Sequence, residues 1–145
     1  MGNLREDFPN LRDSYIITSR KDPGYNCVAW AAGVDTEWWW PSSYYHWPER
    51  NREYSTAAFI RVFASLGYEV CENRAPEAGF EKVAIYVKDG KPKHMARQLP
   101  DGQWTSKCGK DEDITHSLNG LEDSDYGKVT VVMKRKTPTA PEALY

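Results

Sequence analysis

Residues 25–33 read YNCVAWAAG, and the fold prediction depends on this stretch. The preceding Pro23-Gly24 pair predicts a turn, and Asn26 is a residue type that commonly caps the start of a helix. The Ala-rich run after it favours a helix, which Gly33 is suited to end. The stretch therefore predicts a short helix over 27–33 that carries Cys27 in its first turn.

A cysteine in the first turn of a helix is a candidate nucleophile. The unpaired N–H groups and the helix dipole stabilise a thiolate, and a nearby imidazolium lowers the thiol pKa further. The chain has three histidines that could serve as the base, His46, His94 and His116. We rank His94 first because a strand predicted around it would hold the ring rigidly. His116 falls in a predicted surface helix and ranks second, ahead of His46 in an aromatic loop.

The region after the Cys27 helix is rich in aromatic residues. Residues 34–53 contain WWWP and YYHWP, and the two prolines and the lack of a period predict an irregular loop. Residues 55–66 predict the main amphipathic helix, since Phe59, Val62, Phe63 and Leu66 are spaced to share one face. Gly67 is placed to end it.

The second half of the chain predicts an antiparallel meander. Asp89-Gly90 is a strong hairpin signal, and Asp101-Gly102 predicts a second turn. The predicted elements are strands over 82–88, 93–99, 103–108 and 128–134, with a short helix over 114–121. Helices followed by a meander predict an α+β fold in which a nucleophile-bearing helix packs on an antiparallel sheet.

The second turn also suggests which residue orients the histidine. If Asp101-Gly102 is a two-residue turn, Gln98 faces Thr105, and both lie on the His94 side of the hairpin. Asp111 would then be near the end of the same hairpin. Gln98, Thr105 and Asp111 are all candidates for the third member of the site, and the sequence does not choose between them.

The bulk properties limit the function classes. A length of 145 residues fits a single domain, predicted here over 1–135 with a flexible tail over 136–145. A net charge of −2 without a basic stripe argues against nucleic-acid binding. No apolar run approaches the roughly 18 residues that a membrane helix needs, so no membrane interaction is expected.

The cysteine count bears on compartment and cofactors. Three cysteines cannot all pair, and residues 1–13 are polar, so we expect a cytoplasmic protein, with export by a signal-independent route as the alternative. Cys71 and Cys108 are interpreted as structural. The absence of Cys-x-x-Cys and His-x-x-x-His pairs argues against a metal site, and no cofactor is expected.

Residues 25–31 resemble the nucleophile segment of papain-like hydrolases, especially the bacterial CHAP and NlpC-type amidase/endopeptidase families. The resemblance spans residues 25–108 and implies a papain-like fold with a Cys at a helix start and a His from the meander. Those families usually open the first meander strand with that His, but this chain has Lys82 there. Either the base has moved to His94, or the site has lost its base and only binds.

The sequence thus predicts a cysteine hydrolase of the peptidase or amidase type. Cys27 would attack the carbonyl of a peptide or amide substrate, and His94 would move the proton. The backbone N–H of Cys27 would stabilise the oxyanion. The alternative is an inactive papain-like module that grips a peptide or glycan with the Trp/Tyr loop over 38–47. A toxin or effector role and a protein partner are compatible with either.

Overall fold

The computed structural model describes residues 8–11, 15–108 and 112–137, and within them a seven-stranded sheet dominates. Every strand pair is antiparallel, in the spatial order β1-β6-β5-β4-β3-β7-β2. The strands are β1 Ile16–Ile17, β2 Glu69–Cys71, β3 Phe80–Lys88, β4 Lys91–Gln98, β5 Trp104–Lys107, β6 Asp113–His116 and β7 Lys128–Lys136. The helices are α1 Cys27–Ala31, α2 Thr56–Ser65 and a 3₁₀ turn at Leu118–Leu121.

The predicted α+β papain-like class is therefore wrong, because the fold is β-rich. The described helices are short: α1 has five residues and α2 has ten. An isolated helix of either length is marginal, so both depend on packing against the sheet. The predicted helix that begins at Cys27 is present, but the sheet, rather than a helical layer, makes up most of the domain.

The β3–β4 hairpin forms as Asp89-Gly90 predicts. Both turn residues have positive φ, 52° and 74°, which is the backbone of the two-residue turn that matches strand twist. Val83 pairs with Arg97 and Tyr86 with His94, with a bulge after Tyr86. Cross-strand partners share a face of the sheet, so this register decides which side chains meet.

The two faces of the sheet carry separate cores. The face that carries the helices, called here the helix face, packs side chains of the strands against α1 and α2. Its buried strand residues are Val83, Ile85, Met95 and Met133. The opposite face, called here the far face, packs against the 3₁₀ turn and against residues 8–11. Its buried strand residues include Ala84, Tyr86, Ala96, Trp104, Ile114 and Val132.

The α2 helix matches its prediction. The Ser55 hydroxyl caps it by accepting from the N–H of Ala58 at 3.0 Å, and the apolar stripe of the helix is buried on the sheet. Gly67 follows with φ of 99°, a conformation in which glycine avoids the clash of a Cβ.

The predicted helix over 114–121 is wrong in its first half. Residues Asp113–His116 form β6, because they pair with β5 on one side and β1 on the other. Only Leu118–Leu121 turns, as a 3₁₀ helix. A run this short carries too little periodicity to separate strand from helix, so its neighbours in the sheet decide.

The last strand of the domain ends slightly later than the sequence predicts. Strand β7 continues to Lys136, one residue past the predicted domain boundary at 135, and residues 138–145 of the predicted tail lie outside the described residues. Among the described residues, no helix combines the length and apolar character that crossing a membrane requires.

Candidate active site

Asn26 fixes Cys27 at the first position of α1. Its side-chain oxygen accepts from the N–H of Ala29 at 3.2 Å and of Trp39 at 3.0 Å, and its amide donates to the Trp39 carbonyl at 2.9 Å. One side chain therefore caps the helix and ties it to the aromatic loop. On the other side, the Tyr25 hydroxyl donates to Asp113 Oδ2 at 2.6 Å, which anchors the segment to β6.

The Cys27 side chain reaches the sheet where β4 and β5 separate. The two strands pair only at Arg97 with Thr105 and Gln98 with Trp104, so β5 leaves the β4 edge before Met95. Helix α1 packs against both strands. The N–H of Met95 is directed at the Cys27 sulfur, together with the N–H groups of Val28 and Cys27 itself.

The Cys27 thiol is protonated at neutral pH. Burial, with 8% of the residue exposed, raises its pKa to about 11, although the three N–H groups partly offset this by stabilising the thiolate. The sequence-based expectation of a thiolate near neutral pH is therefore wrong. Loss of hydration outweighs the donors of a helix with only five residues.

His94 lies on the far face of the sheet, fully buried, and belongs to a chain of three side chains. Its Nε2 is 2.9 Å from the Ser106 hydroxyl, which is 2.7 Å from Nε2 of His116. Nδ1 of His116 lies 2.7 Å from the Ser117 carbonyl oxygen. Nδ1 of His94 has no hydrogen-bond partner among the described residues.

The direction of this chain assigns the tautomers. Burial lowers the pKa of His94 well below its usual value, with His116 as a second cause, and burial lowers that of His116 to about 4, so both rings are neutral. The Ser117 carbonyl only accepts, which places the His116 proton on Nδ1. Ser106 then donates to His116 and accepts from His94 Nε2–H. His94 Nδ1 is left as an unprotonated acceptor without a partner among the described residues.

The structure does not bring the Cys27 and His94 side chains together, because Cys27 packs in the core of the helix face and His94 lies on the far face. No hydrogen bond links their side chains among the described residues, but the sulfur faces the backbone N–H of Met95, the residue after His94. Tyr126 connects the two environments. Its ring stacks on His94 with centroids 4.0 Å apart and planes 5° apart, and the same residue lines a cavity with Cys27.

Of the predicted orienting residues, the two that the structure describes, Gln98 and Thr105, make their side-chain hydrogen bonds to other residues than His94. The Gln98 amide donates to the Arg74 carbonyl at 2.8 Å, and the Thr105 hydroxyl accepts from Trp30 Nε1 at 3.0 Å on the helix face. Asp111 lies outside the described residues. Ser106 takes this position instead.

The sequence prediction missed Ser106 because it placed β5 one residue out of register with β4. The β4–β5 turn has three residues, Pro100-Asp101-Gly102, with Gly102 at φ of 91°, rather than the two that were predicted. A shift of one residue moves every side chain of a strand to the other face. Ser106 therefore replaces Thr105 beside His94. Pro100 before Asp101-Gly102 was the available signal for the longer turn.

The two other histidines lie in different environments. His116, ranked second from the sequence, is buried in β6 as part of the His94 chain. His46 is exposed in the aromatic loop, where its ring packs against Trp39 with centroids 5.2 Å apart.

Lys82, in the position where the CHAP and NlpC-type families usually have a histidine, makes structural hydrogen bonds. Its ammonium is fully buried and donates to the carbonyls of Asn73 and Ala75 and to Glu77 Oε1, at 2.6, 2.8 and 2.7 Å. It fixes the loop before β3 and takes no part in the cavity beside Cys27.

The cavity beside Cys27 has a volume of about 270 Å³. It lies between the start of α1, the aromatic loop and the edge of β4. Its lining residues are Asn26, Cys27, Trp38, Trp40, Tyr45, Lys93 and Tyr126. No group of three or more metal-ligating side chains occurs in the described parts of the chain.

Comparison with known protein families gives a match over most of the chain. The family described as Domain of unknown function (DUF7689) matches residues 16–134. The chain belongs to this family. No curated protein and no solved structure matches the chain, and nothing links this DUF7689 chain to the CHAP or NlpC-type families. The matched segment includes Cys27, His94, Ser106 and His116, so the whole candidate site lies within the family domain.

Proposed function

We propose that the chain is a cysteine hydrolase that cleaves or transfers an acyl group at an amide bond, with Cys27 as nucleophile and His94 as base. The observation that carries the proposal is the tautomer of His94. Its Nε2 is held by Ser106, which leaves Nδ1 with a buried, unpaired lone pair beside the residue whose N–H faces the Cys27 sulfur. Buried acceptors without partners are uncommon, and Asp113 Oδ1 is another among the described residues.

The chemistry starts from a neutral pair rather than an ion pair. The Cys27 thiol gives its proton to Nδ1 of His94 as the sulfur attacks the substrate carbonyl and the S–C bond forms. The imidazolium then protonates the leaving amine as the C–N bond breaks. Water, deprotonated by the same nitrogen, hydrolyses the thioester, and an amine in its place gives transfer. The two side chains lie on opposite faces of the sheet at rest, so the proposal requires them to approach each other through the gap between β4 and β5 in the substrate complex.

The first turn of α1 supplies donors for the oxyanion. The N–H groups of Cys27 and Val28 point at the sulfur, and no other acceptor takes them among the described residues. Backbone N–H groups held in place stabilise the charge that develops on the carbonyl oxygen during attack. The predicted role of the Cys27 N–H is retained, with Val28 as the second donor.

A second candidate is a binding module without chemistry. The raised pKa of Cys27 and the aromatic lining of the cavity favour it, because a neutral thiol packs as a small apolar group. The ligand would then occupy the same cavity.

Acylation by p-nitrophenyl acetate separates the two. The hydrolase should release a burst of p-nitrophenol and carry the acetyl group on the Cys27 peptide in the mass spectrum. Cys27→Ala and His94→Ala should abolish the burst, whereas Cys71→Ala should keep it. Equal acetylation of Cys27 and Cys71, or a burst that survives His94→Ala, would overturn the assignment.

A further inference from the structure

The cavity beside Cys27 has walls of aromatic rings that are already fixed. Trp38 stacks on Tyr45 with centroids 5.4 Å apart, and its Nε1 donates to the Pro23 carbonyl at 2.7 Å. Arg52 donates to the carbonyls of Ser42 and Tyr45 at 2.6 and 2.7 Å and so holds the loop. Preformed walls reduce the entropy that a ligand loses on binding.

Trp40 and Asn26, which also line the cavity, are held in place as well. Trp40 packs edge-on against Phe59 with centroids 5.6 Å apart, and also against Tyr54. The Asn26 side chain lines the cavity, but its oxygen and its amide nitrogen already make hydrogen bonds to the backbone of Ala29 and Trp39. The indole N–H of Trp38 and the side-chain oxygen of Asn26 are therefore already engaged, and the rings offer a ligand mainly contact area.

Lys93 is the one charged side chain among the described residues that line this cavity. It is exposed, and no ion pair or hydrogen bond engages its ammonium in the described parts of the chain. An unpaired cation beside aromatic walls attracts an anionic group on a ligand that is otherwise apolar.

The volume sets the size of that ligand. A dry cavity of roughly 150 Å³ binds benzene, and this one, at about 270 Å³, has room for a ring and a short linker. We infer that the site takes a small amide or ester with a flat aromatic acyl group and a carboxylate that pairs with Lys93. This inference rests on the proposed function for the reacting bond, but the recognition it describes requires no chemistry.

Binding can therefore be tested without turnover. The Cys27→Ala variant is titrated with hippurate (N-benzoylglycine) and with its uncharged amide, hippuramide, with tryptophan fluorescence as the signal because Trp38 and Trp40 line the site. Hippurate should bind at least about tenfold more tightly, and Lys93→Glu should remove that preference. Lys88→Glu is the matched control, since Lys88 is exposed on β3, is absent from the cavity lining and gives the same change in net charge.

Equal affinity for the two probes, or an equal loss in Lys88→Glu, would overturn the ligand inference. A different result is expected if the ligand inference is right and the proposed hydrolase function is wrong. In that case hippurate still binds in a Lys93-dependent way, while wild type shows no burst with p-nitrophenyl acetate. A wild-type enzyme that shows the burst but has no preference for the anionic probe would retain the function and reject the ligand class.

Discussion

The Ser106 hydroxyl lies 2.7 Å from Nε2 of His116 and 2.9 Å from Nε2 of His94. From β5 it links the two neutral imidazoles, which lie on the strands at either side, β6 and β4. A hydroxyl has one proton to donate, and His116 needs it because its own proton goes to the Ser117 carbonyl. The backbone of residue 117 thereby determines which nitrogen of His94 is basic. This relationship turns a buried polar cluster into a candidate for positioning a catalytic base.

Replacing Ser106 should impair catalysis through His94. Ser106→Ala leaves Nε2–H of His94 without its acceptor, so the ring is free to adopt the wrong tautomer or orientation. We expect kcat to fall by at least about tenfold, up to the roughly 10²–10⁴-fold that a general base contributes, with KM little changed. Steady-state kinetics against an amide substrate, with the pH profile of kcat, measure this.

Two variants make that test specific. Ser106→Thr keeps the hydroxyl and should restore most of the activity. Thr105→Val changes the neighbouring residue on the opposite face, where the hydroxyl serves Trp30, and should leave the pH profile unchanged. A pH profile of Ser106→Ala identical to that of wild type would contradict a positioning role.

The buried histidines should make the fold sensitive to mild acid. The pKa of His116 is about 4 in the folded chain and about 6.5 in the unfolded chain, so the unfolded state binds more protons between these values. Stability is complete above pH 6.5 and falls as the pH drops towards 4, by roughly 3 kcal/mol for this residue alone. His94, also lowered, adds loss in the same direction.

Urea unfolding at pH 7 and pH 5 measures this effect. His116→Gln should reduce the difference between the two free energies of unfolding, and the exposed His46→Gln should preserve it. Most carboxylates titrate below this window, so they contribute little to the difference. A His116→Gln protein with the full wild-type slope would contradict the assignment of a neutral, buried His116.

The sequence predicts local elements well and their juxtaposition less well. The β3–β4 hairpin and α2 follow from Asp89-Gly90, from the spacing of apolar residues and from Gly67, all of which act over a few positions. The partner of His94 depends on the turn before β5, where one added residue exchanges Thr105 for Ser106.

The other features that the sequence did not predict also depend on contacts between residues that are distant in the chain. Strand β6 depends on contacts with β1 and β5, which are distant in sequence, and the ionisation of Cys27 depends on burial that only the packed fold defines. The papain-like expectation rested on the Cys27 segment, and seven residues do not specify the layer that surrounds them.

Cys27 should alkylate slowly at neutral pH. With a pKa raised to about 11, the thiolate fraction is small at pH 7, and the iodoacetamide rate should increase with pH up to about that value. His94→Ala should leave this profile unchanged, because a neutral imidazole does not stabilise the resting thiolate. Mass spectrometry of the Cys27 peptide over a pH series measures it. Fast alkylation below pH 7 that disappears in His94→Ala would indicate an ion pair and contradict the neutral resting state.

Gly127 should tolerate no side chain. A Cβ there would lie 2.1 Å from the Val87 carbonyl oxygen, and its φ of 81° adds strain for any other residue. We expect Gly127→Ala to lower the free energy of unfolding by several kcal/mol and to displace the neighbouring Tyr126 from His94. Gly90→Ala is the control, because its φ of 74° is similar but its Cβ would meet open space, so the expected cost is about 1 kcal/mol. Thermal unfolding of both variants compares them, and equal losses would contradict the clash.

Lys82 should matter for stability and not for the reaction. Lys82→Met removes the buried ammonium that the carbonyls of Asn73 and Ala75 and the partly exposed Glu77 share, and a hydrogen bond to a charged group contributes about 1.5–3 kcal/mol. Lys134→Met is the matched control, since Lys134 contacts the other oxygen of Glu77 at 3.3 Å from a partly exposed position, where such pairs contribute about 0–1 kcal/mol. Urea unfolding should separate the two variants clearly. Acylation of Cys27 by p-nitrophenyl acetate, measured on folded Lys82→Met at low temperature, should match wild type, and a lost burst in that folded protein would place Lys82 in the site after all.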